Sequence, residues 1–239
     1  MPIDRPLDIL AVAPHRDDVE LLFGGVLIRT ADQGHRTGIV DLTEGERATR
    51  GDVETRAREA ERAARLMGVA VRENLKLPDG EIADVTPQRE RLVEALRRLR
   101  PSVLLLPYWM GRHPDHIACA HLGRSAVFLS GLARYGAGEP HRPRKVLHAF
   151  AYQNGDPTFV VDITEQFERK LEAIACYGSQ FAGLQAAGEV FATGRELAET
   201  VRVKHAYYGS LIQTLYGEPY LMPEVMRVDD VTALDVLSI

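Results

Sequence analysis

The chain has 239 residues, 45% hydrophobic and 26% charged, with a formal net charge of −5 at pH 7. Enough apolar material is present for one domain with a sizeable core. The acidic balance argues against a nucleic-acid or anionic-membrane surface, both of which recruit cationic side chains.

The start, Met1 to Pro6, carries no apolar run of the kind that precedes a cleavage site, and Leu7 to Ala13 is too short to cross a bilayer. The only cysteines, Cys119 and Cys176, fall within expected helices and read as buried thiols. A cytoplasmic protein with no membrane or nucleic-acid partner is expected.

The first half alternates strand and helix. Leu7–Ala13 reads as a strand, followed by a helix from about Val19 to Gln33 that Gly34 closes. A second strand over Thr37–Leu42 leads to a helix over Asp52–Met67, with Val53, Ala57, Ala60, Ala64 and Met67 at helical spacing and Gly68 as the stop. Asn74–Leu77 reads as a third strand, leaving through the turn Pro78-Asp79-Gly80. Thr86 is the expected N-cap of the next helix, with Pro87 at its first position and Leu92, Leu96 and Leu99 facing inward.

Ser102–Pro107 is the fourth strand, and a helix is expected near Ile117 to Leu132. This order predicts an α/β fold with a Rossmann-like, mainly parallel sheet and helices on both faces. Beyond Gly136–Pro143 the pattern loosens: strands over Val146–Tyr152 and Thr158–Ile163, a helix over Glu165–Tyr177, a loop over Ala182–Gly194 and a last helix over Glu196–Tyr208. No repeat or clean linker divides the chain, so residues 1–239 are read as a single domain with an elaborated C-terminal part.

Two short runs carry the chemistry: Pro14-His15-Arg16-Asp17-Asp18-Val19-Glu20 and His113-Pro114-Asp115-His116. Each follows a strand and precedes a helix, and such turns lie at the carboxyl edge of an open sheet, where ligands bind. Catalytic zinc takes three His or carboxylate ligands and keeps one position open. His15 and Asp18, three apart across one turn, with His116 from the other, meet that requirement. Asp17 is then placed to take a proton from the attacking water. His113, oriented by Asp115, is left to stabilise the oxyanion or protonate the leaving amine. Taken alone, an Asp pair at a helix start is as often a cap, and His-Pro is a common helix opening. Two such turns at equivalent sheet-edge positions favour a metal centre.

On these residues the chain resembles the LmbE/PIG-L-like metal-dependent deacetylases, with their [AP]-H-x-D-D-x-E turn and later HPDH. It is similar in particular to the branch that deacetylates N-acetylglucosaminyl-malate in bacillithiol synthesis. The runs Asp41-Leu42-Thr43-Glu44-Gly45-Glu46, Asn74 to Gly80, Pro107-Tyr108-Trp109, Arg112 to His116 and Tyr177-Gly178-Ser179-Gln180-Phe181 carry the likeness, which extends over residues 7–220. The resemblance implies metal ligands His15, Asp18 and His116, Asp17 as general base, His113 as partner acid, and an N-acetylglucosamine amide as substrate. It further implies a homo-oligomer, often a hexamer in that branch.

Two positions depart from the pattern. Arg16 stands where the family often has proline, and Leu197 precedes Ala198-Glu199-Thr200 where relatives often place a tyrosine near the oxyanion. Tyr207 and Tyr208 are the candidate replacements, the alternative being that His113 serves the oxyanion alone.

A malate aglycone needs cationic partners, and arginine bonds carboxylate bidentately. Arg56 and Arg112 are the expected substrate-binding residues, with Arg50 and Arg47 assisting. Zn²⁺ is the expected cofactor, although a His₂Asp site also takes Fe²⁺, Mn²⁺ or Co²⁺. Other readings are a deacetylase of a chitobiose or mycothiol-type N-acetyl sugar, or a non-catalytic metal-binding α/β module.

Overall fold

The computed structural model describes residues 5–150, 155–181 and 196–236. Its centre is a seven-stranded sheet in the order β3-β2-β1-β4-β5-β7-β6. The strands are β1 (Ile9–Ala13), β2 (Thr37–Thr43), β3 (Val71–Leu77), β4 (Val103–Pro107), β5 (Lys145–Ala149), β6 (Phe159–Asp162) and β7 (Gly217–Leu221). The first five run parallel, whereas β7 is antiparallel to both β5 and β6.

Alternate residues of the central strands feed two cores, as the two-residue period of a strand dictates. Ala11, Ile39 and Leu105 face one side, packing against α1 (Asp18–Asp32), α2 (Val53–Met67) and α5 (Phe167–Ala175). Leu10, Val12, Val40, Leu104 and Leu106 face the other, under α3 (Thr86–Leu99) and α4 (Pro114–Ser130). Each fully buried Leu or Ile side chain contributes about 1.5–3 kcal/mol by leaving water.

The mainly parallel sheet with helices on both faces is as expected, and several local readings are corrected. The motif from His113 to His116 is not a loop before a helix. Helix α4 starts at Pro114, with His113 as its N-cap, so Asp115 and His116 stand in its first turn. Val85, rather than Thr86, is the N-cap of α3. The helix expected over Glu165–Tyr177 is a 3₁₀ turn at Thr164–Gln166 followed by α5, and the short α6 (Gly178–Phe181) comes after it. The last helix, α7 (Leu197–Ser210), extends two residues further than expected. The loop read over Ala182–Gly194 lies outside the described residues. Strand β7 is an addition to the expected elements: Gly217-Glu218-Pro219-Tyr220 lacks any alternation of apolar and polar residues.

Both cysteines are buried free thiols, and among the described residues no helix is long and apolar enough to cross a membrane.

One buried ion pair bonds to the backbone of helix α1. Lys170 of α5 donates to the Leu21 carbonyl at 2.9 Å and to Glu218 at 2.7 Å. Glu218 of β7 in turn accepts from the backbone N–H groups of Gly25 and Val26, at 2.9 and 3.0 Å. The Leu21 carbonyl and Gly25 N–H are the partners a regular helical rung would join. Here a lysine and a glutamate bond to both ends of that rung. Gly25 permits the approach, since a Cβ there would meet Ile163 at 2.6 Å and Glu218 at 2.8 Å.

Candidate active site

Strand order reverses between β1 and β4, so the segments leaving these two neighbours diverge and open a crevice at the carboxyl edge. Both chemical motifs meet there. The His15, His113 and His116 rings form a cluster with centroids 5.1–5.9 Å apart.

Asp18, buried in the first turn of α1, links two of them. Its Oδ2 lies 3.0 Å from His15 Nδ1 and also accepts the His15 backbone N–H, while its Oδ1 lies 3.1 Å from His116 Nε2. Burial works against ionising Asp18, but His116 and His15 outweigh it and hold the carboxyl well below its ordinary range. The helix N-terminus favours the same charge.

The far side of His15 carries two more carboxylates. Its Nε2 lies 3.1 Å from Asp79 Oδ1 and 3.3 Å from Asp115 Oδ2. Burial disfavours a charged His15 ring, yet hydrogen bonds to Asp115, Asp18 and Asp79 raise it well above the usual histidine range. His15 in return holds Asp79 down at about 2.

Asp17 is the N-cap of α1 by position, but its side chain makes no capping bond. Its carboxylate instead accepts from Arg56 Nη2 at 2.7 Å. Burial pushes the Asp17 carboxyl up against the pull of Arg56, although 17% of the side chain stays open to the crevice. The simple capping role is thereby excluded for Asp17. Arg56 also donates to the Gly45 carbonyl, and Gly45 has φ +71°, with a Cβ there falling 2.1 Å from Arg56 Nη1.

His113 is exposed at the mouth of the cluster. Asp115 does orient it, but through the main chain: the Asp115 N–H donates to His113 Nδ1 at 3.2 Å. With Nδ1 accepting, the ring proton of neutral His113 sits on Nε2. The Asp115 carboxylate is used elsewhere, accepting from Gly80 N–H at 3.0 Å and facing His15. Although its surface is open to solvent, the partly desolvated His113 ring has its pKa lowered by that desolvation and by the neighbouring His15 and His116.

Of the expected substrate arginines, Arg56 is buried with its guanidinium on Asp17 and Gly45. Arg112 is exposed beside His113, and Arg50 is half-buried in the segment after β2 with its carbonyl taken by Gln180. Arg47 pairs with Glu81.

Leu197 packs with the apolar group of Ile163, Phe167, Ile174 and Val201. The buried Tyr208 makes its hydroxyl contact with Gly155 at 3.1 Å, and Tyr207 is 55% exposed.

Sequence reasoning missed the frame beneath the first turn. Arg72 of β3 bonds Asp41 twice at 2.9 Å, Glu20 at 2.7 Å, and the Arg16 carbonyl. Tyr177 donates to that same carbonyl. Glu59 receives the Ser179 N–H and hydroxyl, at 2.8 and 2.6 Å, and Gln180 donates to the Arg50 carbonyl. Charged residues inside strand β3 and the buried face of α1 were the available signal, because a buried charge survives only when partnered. Arg16, the departure from proline, donates to the Val53 carbonyl at 2.8 Å and so joins the turn to the start of α2.

His15, Asp18 and His116 offer ligand atoms that all lie within 4.8 Å of one another. Two imidazoles and a carboxylate, flanked by further carboxylates in a buried setting, form a donor set that suits Zn²⁺ or another divalent transition metal. With an adjacent carboxylate, Asp17, and an exposed imidazole, His113, this donor set is consistent with a metal-dependent amidohydrolase.

Comparisons with known proteins agree. Residues 10–127 match the family described as PIG-L, GlcNAc-PI de-N-acetylase, and the chain belongs to this PIG-L/LmbE family of deacetylases. The diacetylchitobiose deacetylase of Thermococcus kodakarensis is 28% identical over 91% of this chain and 83% of its own length. A Bacillus cereus protein named "Probable N-acetyl-alpha-D-glucosaminyl L-malate deacetylase 2" is 29% identical over 72% of this chain and 83% of its own. Among solved structures, the conserved protein TT1542 of Thermus thermophilus superposes with a TM-score of 0.85 at 39% identity, covering 93% of this chain and 98% of that one.

Proposed function

We propose that the enzyme hydrolyses the acetamide of an N-acetylglucosaminyl conjugate, with N-acetylglucosaminyl-malate as the first substrate, giving glucosaminyl-malate and acetate. The observation that carries the reaction is the pairing of a shielded carboxylate, Asp17, with a His₂Asp ligand set one residue away.

His15, Asp18 and His116 would hold the metal, which when bound would supply Lewis acidity to the amide carbonyl and to water. Asp17, held by Arg56, accepts the proton of the attacking water as its oxygen joins the acetyl carbon. His113 donates a hydrogen bond from Nε2–H to the developing oxyanion, and the proton that Asp17 took from water passes to the departing nitrogen. Breakage of the C–N bond leaves the amine on the sugar and releases acetate. Asp115 contributes through its main-chain N–H, which fixes the His113 tautomer.

Arg112, exposed beside His113, and Arg50, in the segment after β2, are the proposed cationic partners of a malate aglycone, together with Arg56 beside Asp17. A second reading, an N-acetyl disaccharide, is favoured by Tyr108 and Trp109, half-buried aromatic rings that follow β4 at the site's edge. Flat rings of this kind suit a sugar face.

Amine release is to be compared on N-acetylglucosaminyl-malate, diacetylchitobiose and plain N-acetylglucosamine with metal-quantified protein. At least tenfold higher kcat/KM on the malate conjugate is expected. A preference for diacetylchitobiose transfers the aglycone to the disaccharide reading, and no amine from any of the three removes the deacetylase proposal for this substrate class.

A further inference from the structure

His15 is flanked on both ring nitrogens, and the two sides are built differently. On the Nδ1 side stand Asp18 and, through it, His116. On the Nε2 side stand Asp79 at 3.1 Å and Asp115 at 3.3 Å. Either trio gathers its ligand atoms tightly enough to hold a cation, so proximity alone does not decide which nitrogen meets the metal.

Hydrogen bonding distinguishes them. Asp79 Oδ2 accepts the Arg47 N–H at 3.0 Å, and the Asp79 N–H donates to Glu46 at 2.8 Å. Asp115 Oδ2, the same oxygen that faces His15, accepts the Gly80 N–H at 3.0 Å. Both carboxylates are thus fixed to main chain by bonds of their own, and are aimed at one imidazole nitrogen as acceptors. A metal-ligating histidine commonly donates its second ring N–H to such a carboxylate, which fixes tautomer and ring orientation.

We propose that Asp79 is a positioning residue for the metal centre: it accepts the His15 Nε2–H and so reserves Nδ1, on the Asp18 side, as the ligating nitrogen. Asp79 touches neither water nor acetyl group in this role; it acts through His15. It also ties the segment after β3 to the segment after β2, through Arg47 and Glu46, with the histidine as the third point of attachment. The proposal rests on His15, Asp18 and His116 forming the metal centre.

Asparagine at this position separates positioning from mere support. Its single carbonyl oxygen can keep the Arg47 N–H, but then its amide N–H groups face His15 and favour the wrong tautomer, with the lone pair on Nε2. Zinc affinity of wild type and Asp79→Asn is measured by competition with a chromophoric chelator, alongside thermal melting of the metal-free proteins. Loss of a partner of this kind typically weakens metal binding about 10–100-fold, and a weakening of at least tenfold is expected. A variant with wild-type zinc affinity and a lower melting temperature would show a purely structural residue and overturn the proposal.

The wild-type protein supplies a second readout that needs no variant. Long-range ¹H–¹⁵N spectra of the zinc-loaded enzyme, with His15 assigned by comparison with His15→Gln, are expected to show a protonated Nε2 and a ligated Nδ1. Zinc bound to Nε2 would overturn the role of Asp79 while leaving a metal enzyme. Wild-type protein that takes up no zinc would instead overturn the metal-centre reading on which the proposal stands.

Discussion

Asp17→Asn is expected to lower kcat by about 10²–10⁴, the usual contribution of a positioned general base, with KM and zinc content little changed. The substitution is nearly isosteric. It keeps an oxygen for the Arg56 guanidinium, which lies 2.7 Å away, and so preserves the local geometry while removing the ability to take a proton. Burial and Arg56 act on Asp17 in opposite directions, and burial prevails, leaving a carboxyl more basic than a solvated aspartate. That is the direction a base working near neutral pH requires. Steady-state kinetics on the best acetylated substrate, with metal content and melting temperature measured on the same preparation, check the expectation. Activity within tenfold of wild type would remove Asp17 from the proton-transfer role.

The largest effect on stability is expected at Glu218. Glu218→Ala leaves Lys170 buried without its carboxylate, and breaking a buried ion pair by removing one partner costs about 3–5 kcal/mol. Glu218 also receives the N–H groups of Gly25 and Val26 and the Tyr220 hydroxyl, so the substitution strips acceptors from three buried donors as well. His205, whose Nε2 lies 2.8 Å from Lys170, can accept a hydrogen bond from the lysine but supplies no negative charge to replace the carboxylate. Urea denaturation of the metal-free protein is the measurement, and a loss below about 1 kcal/mol would mean that water or rearrangement takes over the glutamate's bonds. Lys170→Met combined with Glu218→Leu is expected to be less damaging than Glu218→Ala alone, because no unpaired charge is left behind.

Much of the frame around the site was legible in the sequence because it depends on local signals. The apolar strands Ile9–Ala13 and Val103–Pro107, the glycine stop at Gly68, and the alternation of strand and helix sufficed for a parallel α/β sheet. The candidate ligand trio was legible for a related reason: its members sit just beyond adjacent strands, so topology alone brings them to one edge. What escaped was long-range. Nothing local to Arg56 announces that its guanidinium will bond Asp17, because that bond joins positions 39 apart. Asp79 read as a turn residue, which it is, but its bond to His15 joins positions 64 apart. Strand β7 pairs with β5 and β6 through backbone bonds that its own composition gives no reason to expect.

The clasp at Tyr177 to Gln180 bears on where this enzyme can be cut or spliced. The proposed metal ligands, base and partner acid all lie within residues 10–127 that define the family match. Yet the carbonyl of Arg16, in the middle of the first motif, is held by Tyr177, the Arg50 carbonyl by Gln180, and helix α1 is braced by Lys170 and Glu218. The portion that houses these reacting groups is therefore not a transplantable module. Grafting it onto another scaffold would carry the chemistry across and leave its braces behind, and exchange of whole chains is the sounder unit for recombination.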